Sequence, residues 1–359
     1  MILVVGLPAA AMAQDEAAEG APMWGASVTR DANDVTAFGE GFVLVGGRDK
    51  KPIGKVWSSP DGTTWTRLED DEVFDGAVLR RVEAFDGGVV ALGTQGRKLV
   101  GWHSPDGIEW ARTTIDKVDK GIELFPNAVT DGPAGLIAVA SLVSQDLIGQ
   151  RFYASADGQT WQEIDPPAET APGMFVSLES TDDEYLAVAR PLFTPGTDLY
   201  WRSADGISWE TFDGPADGAL HDLAIGADGT FVAAGQLADS FTSAIWRAQE
   251  LGSWDLVYSA PSTKETEERL DLIGVGGPGF LAGGITSACP DQPTRSCPVA
   301  SILASEDGRE WRALGVVDGV PGPLHRTAPS AIASNGDTTV LLAWHEDRPS
   351  EVWTPPSGQ

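Results

Sequence analysis

Basic residues are scarce in this chain of 359 residues: 24 Lys and Arg stand against 53 Asp and Glu, a net charge of −29 at pH 7. A chain this acidic is repelled by nucleic acid and by anionic membrane surfaces, so neither is an expected partner. The excess serves solubility and favours cations or basic partners. Cysteine is scarcer still. Cys289 and Cys297, in the stretch SACPDQPTRSC, are the only two. A metal centre wants more ligands than that stretch offers, and it has no His. In an exported chain the pair is expected to close one disulfide across a long loop. Long apolar runs are missing too. The N-terminal run, Ile2 to Ala13, is too short to span a bilayer comfortably. It ends in Ala11-Met12-Ala13, a small-x-small cleavage pattern, so residues 1–13 read as a signal peptide although the basic n-region is absent. No Cys follows the cut, so no lipid anchor is expected there. Residues 14–21 read as an acidic, Ala-rich, disordered leader. The mature chain is then expected to be periplasmic or extracellular, with no transmembrane segment. Catalytic signatures are also lacking: there is no Gly-x-Ser-x-Gly elbow, P-loop, HExxH or EF-hand pattern.

Turn residues and a repeat are abundant instead. Gly 42 and Pro 24 suit many short strands joined by turns. The stretch SSPDGTTW, ending at Trp65, recurs as HSPDGIEW (Trp110), ASADGQTW (Trp161), RSADGISW (Trp209) and ASEDGREW (Trp311). Around each turn runs a longer unit. A short strand such as DVTAF (Asp34–Phe38) or RVEAF (Arg81–Phe85) is followed by an apolar strand with small residues: GFVLVGG, GVVALGT, GLIAVAS, EYLAVAR, TFVAAGQ, GFLAGGI and TTVLLAW. A third strand then ends in KVWSS, VGWHS, RFYAS, LYWRS, AIWRA, SILAS or EVWTP, and the Asp-Gly turn leads to a fourth, headed by the Trp. Four short strands per unit at this spacing predict a propeller blade. The third strands number seven. The fifth unit, WRAQELGSW, has lost the turn residues but keeps Trp254, and the seventh stops before any Trp. Trp24 in APMWGASV has no turn before it and reads as an orphan fourth strand. The expectation is an all-β, seven-bladed propeller over residues 22–359, one domain, whose N-terminal strand completes the C-terminal blade and leaves no open edge.

Each turn residue has a structural task. Gly accepts positive φ, Asp bonds nearby backbone N–H groups, the Ser hydroxyl bonds across the turn, and the Trp packs between sheets. The repeats resemble Asp-box repeats, also called sialidase-type or BNR repeats, whose pattern is Ser/Thr-x-Asp-x-Gly-x-x-Trp. The matching positions are Ser59, Asp61, Gly62 and Trp65; Ser104, Asp106, Gly107 and Trp110; Ser155, Asp157, Gly158 and Trp161; Ser203, Asp205, Gly206 and Trp209; and Ser305, Asp307, Gly308 and Trp311. Here one residue fewer separates Asp from Gly. The resemblance implies a scaffold role, because in the family the box lies on the face opposite the ligand. An aromatic column two residues before the Ser, at Trp57, Trp102, Tyr153, Trp201, Trp246 and Trp353 with Leu303 as exception, reads as inter-blade packing, with a carbohydrate-stacking stripe as the alternative.

Function is expected on the opposite face. The long connections Arg67–Leu79, Ile115–Phe125 and Ser259–Leu270 are acidic and variable, as binding loops on rigid scaffolds are. A polar residue near the start of each first strand, at Asp34, Arg81, Asn127, Ser177, Asp222, Asp271 and Ser330, is expected to ring the channel mouth. Such a ring suits a cation, an amine or a sugar, or else its members bond one another and water. Sialidase activity would require three arginines around a carboxylate, a Tyr–Glu nucleophile pair and six blades. This chain lacks the Arg-Ile-Pro motif, and none of its four tyrosines falls on a first strand. The expectation is a monomeric, non-catalytic module binding an unidentified protein or glycan without a cofactor, Ca2+ having no specific support. A glycoside hydrolase of sialidase-like type is the alternative.

Overall fold

The structure, a computed structural model, describes residues 25–28, 31–68, 72–145, 148–167, 173–191, 198–238, 240, 242–260, 268–277, 279–286, 299–314, 327–345 and 350–354. The expected signal peptide and leader, Trp24, Cys289 and Cys297 lie outside the described residues.

The described residues form seven four-stranded antiparallel sheets and no helix, so the chain is a seven-bladed β-propeller. Around the axis the innermost strands are Ala32–Phe38, Ala77–Phe85, Glu123–Gly132, Gly173–Ser180, Gly218–Ile225, Glu268–Gly276 and Thr327–Ser334, numbered here as blades one to seven. The second strands are apolar on both faces because each blade is sandwiched between two others. In blade one, Val43 and Val45 pack with Leu79, Val82 and Trp102 of blade two. Phe42 and Leu44, on the other face, pack with Val340 and Leu342 of blade seven. Strand alternation thus divides one hydrophobic run between two interfaces.

Blade seven is ordered, from outside in, Gly25–Val28, Glu351–Thr354, Thr339–His345 and Thr327–Ser334. The N-terminal strand runs antiparallel to the last, from Gly25 opposite Thr354 to Val28 opposite Glu351. Blade one follows directly and packs back on blade seven. Ala32 and Val35 share a core with Ala331 and Ala333, and Asn335 Nδ2 donates to Glu40 O at 2.8 Å.

Two details differ from the sequence reading. Each box Trp stands one residue before its outer strand rather than leading it, as with Trp65 before Thr66–Arg67. The Trp65 indole is tied to the turn by its own Nε1–H, which donates to the Gly62 carbonyl at 3.0 Å. Each inner strand also carries a register break near its start. The residues without a partner are Asn33, Arg80, Asn127, Val176, His221, Asp271 and Ser330. A bulge of this kind re-aims the side chains that follow it. It requires a small residue on the second strand, and Gly46, Gly93, Ala140, Ala189, Gly235, Gly284 and Ala343 hold that register position. A Cβ at Gly93 would sit 2.2 Å from the Val78 carbonyl oxygen, nearer than atoms can approach.

Candidate functional site

The five complete boxes consume their polar groups within the turn. Asp157 Oδ1 accepts from Gln159 N at 2.9 Å, Thr160 N at 2.6 Å and the Ser155 hydroxyl at 3.2 Å. Asp61 Oδ1 is held by Thr63 N and Thr64 N, and Asp106, Asp205 and Asp307 repeat the pattern. The backbone N–H groups favour the ionised form and depress the carboxyl pKa at all five. Gly62 turns at φ 72°. Trp65, Trp110, Trp161 and Trp311 donate Nε1–H to the box Gly carbonyl at 3.0–3.2 Å. Trp209 is the exception, its buried Nε1 having no partner among the described residues. Each box also leans on the preceding blade, Gly62 against Val340 and Gly107 against Phe38 and Val43. The aromatic column is buried: Trp102 and Trp353 are fully enclosed, and Tyr153 packs with Val90 and Leu92 of the neighbouring blade. That burial removes the stacking stripe as an alternative.

The long connections are less solvated than their composition suggests. Phe74 of the first is buried and its neighbour Val73 accepts Trp102 Nε1–H through its carbonyl at 3.0 Å. Val118 and Leu124 of the second are core residues. Residues 69–71 and 261–267 of the first and third lie outside the described residues.

The seven polar residues of the first strands all line one axial cavity of about 490 Å³, together with Glu83, Glu179 and His221. They do not share one structural position, however. Asn127, Asp271 and Ser330 are the bulged residues, whereas Asp34, Arg81, Ser177 and Asp222 come one residue after the break. The inserted residue leaves no mark in the inner-strand repeat pattern of the sequence. Most of the seven bridge adjacent strands. Asp34 Oδ2 accepts Val82 N at 3.0 Å, linking blades one and two. Arg81 donates Nε–H to Asn127 O and Nη1–H to Arg80 O. The Ser177 hydroxyl donates to Asp222 Oδ1 at 3.1 Å, and Asp222 Oδ2 accepts Ile273 N at 3.0 Å, so Asp222 links blades four, five and six. Asn127 Oδ1 accepts Ser141 N at 2.7 Å and the Ser330 hydroxyl donates to Leu342 O at 3.3 Å, each within its own blade. Asp271 accepts from Arg269 Nε at 2.8 Å, and its other oxygen lies 3.4 Å from His221 Nδ1.

The channel's electrostatics are those of crowded acids. Burial raises Asp34, with Arg81 beside it pulling the other way. Burial takes Asp222 up to about 6 against the stabilising N–H groups of Ile273 and Leu223. Glu83 is pushed to about 8 by burial, with the charges of Asp34 and Asp131 adding to it. Glu179 is raised well above the usual range by burial, then by Asp222 and Glu83. Sequence reasoning missed both glutamates. The available signal was their offset: they follow Arg81 and Ser177 by two residues, which is the same strand face. The four tyrosines lie on second, third and outer strands: Tyr185, Tyr153 with Tyr200, and Tyr258. Among the described residues no group of three or more His, Cys, Asp and Glu is placed to hold a metal ion, and no helix is long and apolar enough to cross a membrane.

Seven sheets around one polar axial cavity define a seven-bladed β-propeller. No family model and no curated protein matches the chain. Solved structures do. YCF48 bound to a D1 peptide is 17% identical over 92% of this chain and 94% of that one, with a TM-score of 0.58. The GH74 xyloglucanase from Xanthomonas campestris is 15% identical over 91% of this chain and 55% of that one, TM-score 0.58. Puromycin hydrolase is 14% identical over 90% of this chain and 51% of that one, TM-score 0.56. The chain therefore spans about half the length of the two enzymes and nearly all of YCF48. Likeness at these identities establishes the fold and leaves the function to the site.

Proposed function

We propose that this chain is an exported, non-catalytic propeller of the Asp-box type that binds a ligand or protein partner at the axial channel. The observation that carries the reading is a division of labour among carboxylates. Those of the boxes are saturated by their own turns, whereas the inner strands bring acids from several blades to one cavity. Asp-box membership rests on five turns with one hydrogen-bond pattern. Export rests on the Ile2–Ala13 run alone. YCF48, a neighbour of similar length, is known with a bound peptide, which favours a protein or peptide partner. The module is proposed to act as a monomer.

A ligand panel of glycans, peptides and small ions read by thermal shift tests the proposal. A shift lost in Glu179→Gln and kept in Asp157→Ala supports it. A shift lost in Asp157→Ala places binding on the boxes and overturns it. One observation favours a glycoside hydrolase as the second reading: a general acid needs a carboxyl protonated near neutral pH, and Glu83 is such a group. Reducing-end release from a glycan, abolished by Glu83→Gln, would establish that reading in place of the first.

A further inference from the structure

Blade seven joins its first strand to its second through Ser334-Asn335-Gly336-Asp337-Thr338. Asn335 Oδ1 accepts Thr338 N at 2.8 Å and Asp337 N at 3.2 Å. This repeats the turn of a box aspartate, whose Oδ1 also accepts the N–H groups two and three residues on. Gly336 turns at φ 92°, as Gly62 does at 72°. The group held here, however, is a neutral carboxamide. Its Nδ2–H donates to Glu40 O at 2.8 Å and so ties blade seven to blade one. A carboxamide followed by glycine is open to its neighbour's backbone nitrogen, because glycine puts no side chain in the way. Gly336 is exposed, and a Cβ on it would meet nothing within 4 Å. Among the described residues its N–H is held only by the Ser334 hydroxyl, at 3.3 Å. The two N–H groups on Asn335 Oδ1 draw electrons from Cγ, and they are placed to hold the oxyanion that forms when a nucleophile adds there.

We propose that Asn335-Gly336 is this chain's site of spontaneous deamidation, and that the reaction undoes a tie between the first and last blades. The Gly336 nitrogen adds to Asn335 Cγ, forming a C–N bond and giving its proton to water. The Cγ–Nδ2 bond then breaks, and Nδ2 takes up a proton and leaves as ammonia. Water opens the cyclic imide. Attack at Cγ gives an aspartyl residue, and attack at the backbone carbonyl carbon gives an isoaspartyl residue. Neither product has the N–H that Glu40 O accepts. Both add a negative charge to a junction where Glu40 and Asp337 are already exposed acids. The other two asparagines lack this setting. Asn33 precedes Asp34, Asn127 precedes Ala128, and both lie inside first strands. Their side chains are spent on backbone groups there, Asn33 Nδ2 on Leu79 O and Asn127 Oδ1 on Ser141 N. The Asp-Gly pairs of the boxes share the turn, but their carboxyls are held ionised by backbone N–H groups, and a carboxylate resists nucleophilic addition.

The test is prolonged incubation of the folded full chain at pH 8, read by peptide mapping with mass spectrometry and by enzymatic methylation of isoaspartyl groups. The same chain unfolded in guanidinium chloride is the reference for chemical competence. The expected result is the amide-to-acid mass gain in the fragment that holds Asn335, with an isoaspartyl signal, while Asn33 and Asn127 stay intact. Asn335→Gln should give neither, because its longer side chain closes the ring far more slowly. The converted fraction, separated by its added charge, and Asn335→Asp made directly should each melt about 2 °C below fresh wild type, the loss expected for one hydrogen bond in a domain of this size. Asn335 intact in the folded chain after the unfolded reference has lost it, conversion of Asn33 or Asn127 first, or a converted fraction that melts with fresh wild type overturns the inference.

Discussion

Glu83→Gln should make the protein more stable at pH 8 and leave it unchanged at pH 5. Burial raises the folded-state pKa of Glu83 from 4.5 to about 8. Between those values the folded chain keeps a proton that the unfolded chain releases. The folded state is therefore favoured below pH 4.5, and the advantage is lost steadily as pH rises toward 8. The slope is about 1.4 kcal/mol per pH unit. At pH 8, 3.5 units above 4.5, the loss is bounded at about 4 kcal/mol. Glu83 is half-buried and faces a channel that water enters, so screening reduces this to about 1–2 kcal/mol. Glutamine keeps the shape and cannot ionise. Denaturant melts at pH 5, 6.5 and 8 should show the variant gaining about 1–2 kcal/mol over wild type at pH 8, or roughly 2–4 °C in Tm for a domain of this size. A gain of the same size at pH 5, or a variant less stable than wild type at pH 8, would refute the reasoning.

The box aspartates behave in the opposite sense. Their depressed pKa values give stability that is present above about pH 4 and lost as pH falls below it, so an acid melt should weaken below that point in wild type and less in Asp157→Ala. At neutral pH, Asp157→Ala loses three hydrogen bonds in an exposed turn and should cost about 1 kcal/mol by chemical denaturation, without affecting any ligand. Gly93→Ala forces a Cβ against the Val78 carbonyl and should cost about 1–3 kcal/mol in the same assay. Deleting Gly25–Val28 bares the buried strand Glu351–Thr354. Its thermal midpoint should fall further than that of Asp157→Ala, with aggregation visible by light scattering.

The blade count was legible because each unit carries its own punctuation: an Asp-Gly turn, a Trp after it and an apolar second strand before it. The degenerate fifth blade kept its Trp, although Trp254 Nε1–H goes to the Asp213 carbonyl at 3.0 Å rather than to its own turn. The bulges were not legible. A single extra residue in an inner strand leaves hydrophobic alternation intact on either side, so Asn127, Asp271 and Ser330 were aligned with residues one place further along. The column of Gly and Ala from Gly46 to Ala343 was the trace of the bulge, and at Gly46, Gly93, Gly235 and Gly284 a Cβ would fall within 2.2 Å of a backbone carbonyl oxygen. Glu83 and Glu179 escaped for a related reason. They sit near the ends of their strands, Glu83 third from the end and Glu179 next to last, and nothing in composition distinguishes a channel-facing glutamate from a solvent-facing one. Only the arrangement of seven blades around one axis brings them together.

The account holds that the channel carboxyls bind and the box carboxyls build. The most direct measurement is the thermal shift of wild type, Glu179→Gln and Asp157→Ala against one panel of amines, peptides and glycans, with product release followed in the same samples. Glu179 is the suitable position because no described residue donates to it, so its loss leaves the inter-blade bonds in place. The account predicts a ligand shift absent in Glu179→Gln, kept in Asp157→Ala, and unaccompanied by product. Turnover of any glycan, or a shift that survives Glu179→Gln and disappears in Asp157→Ala, would contradict it.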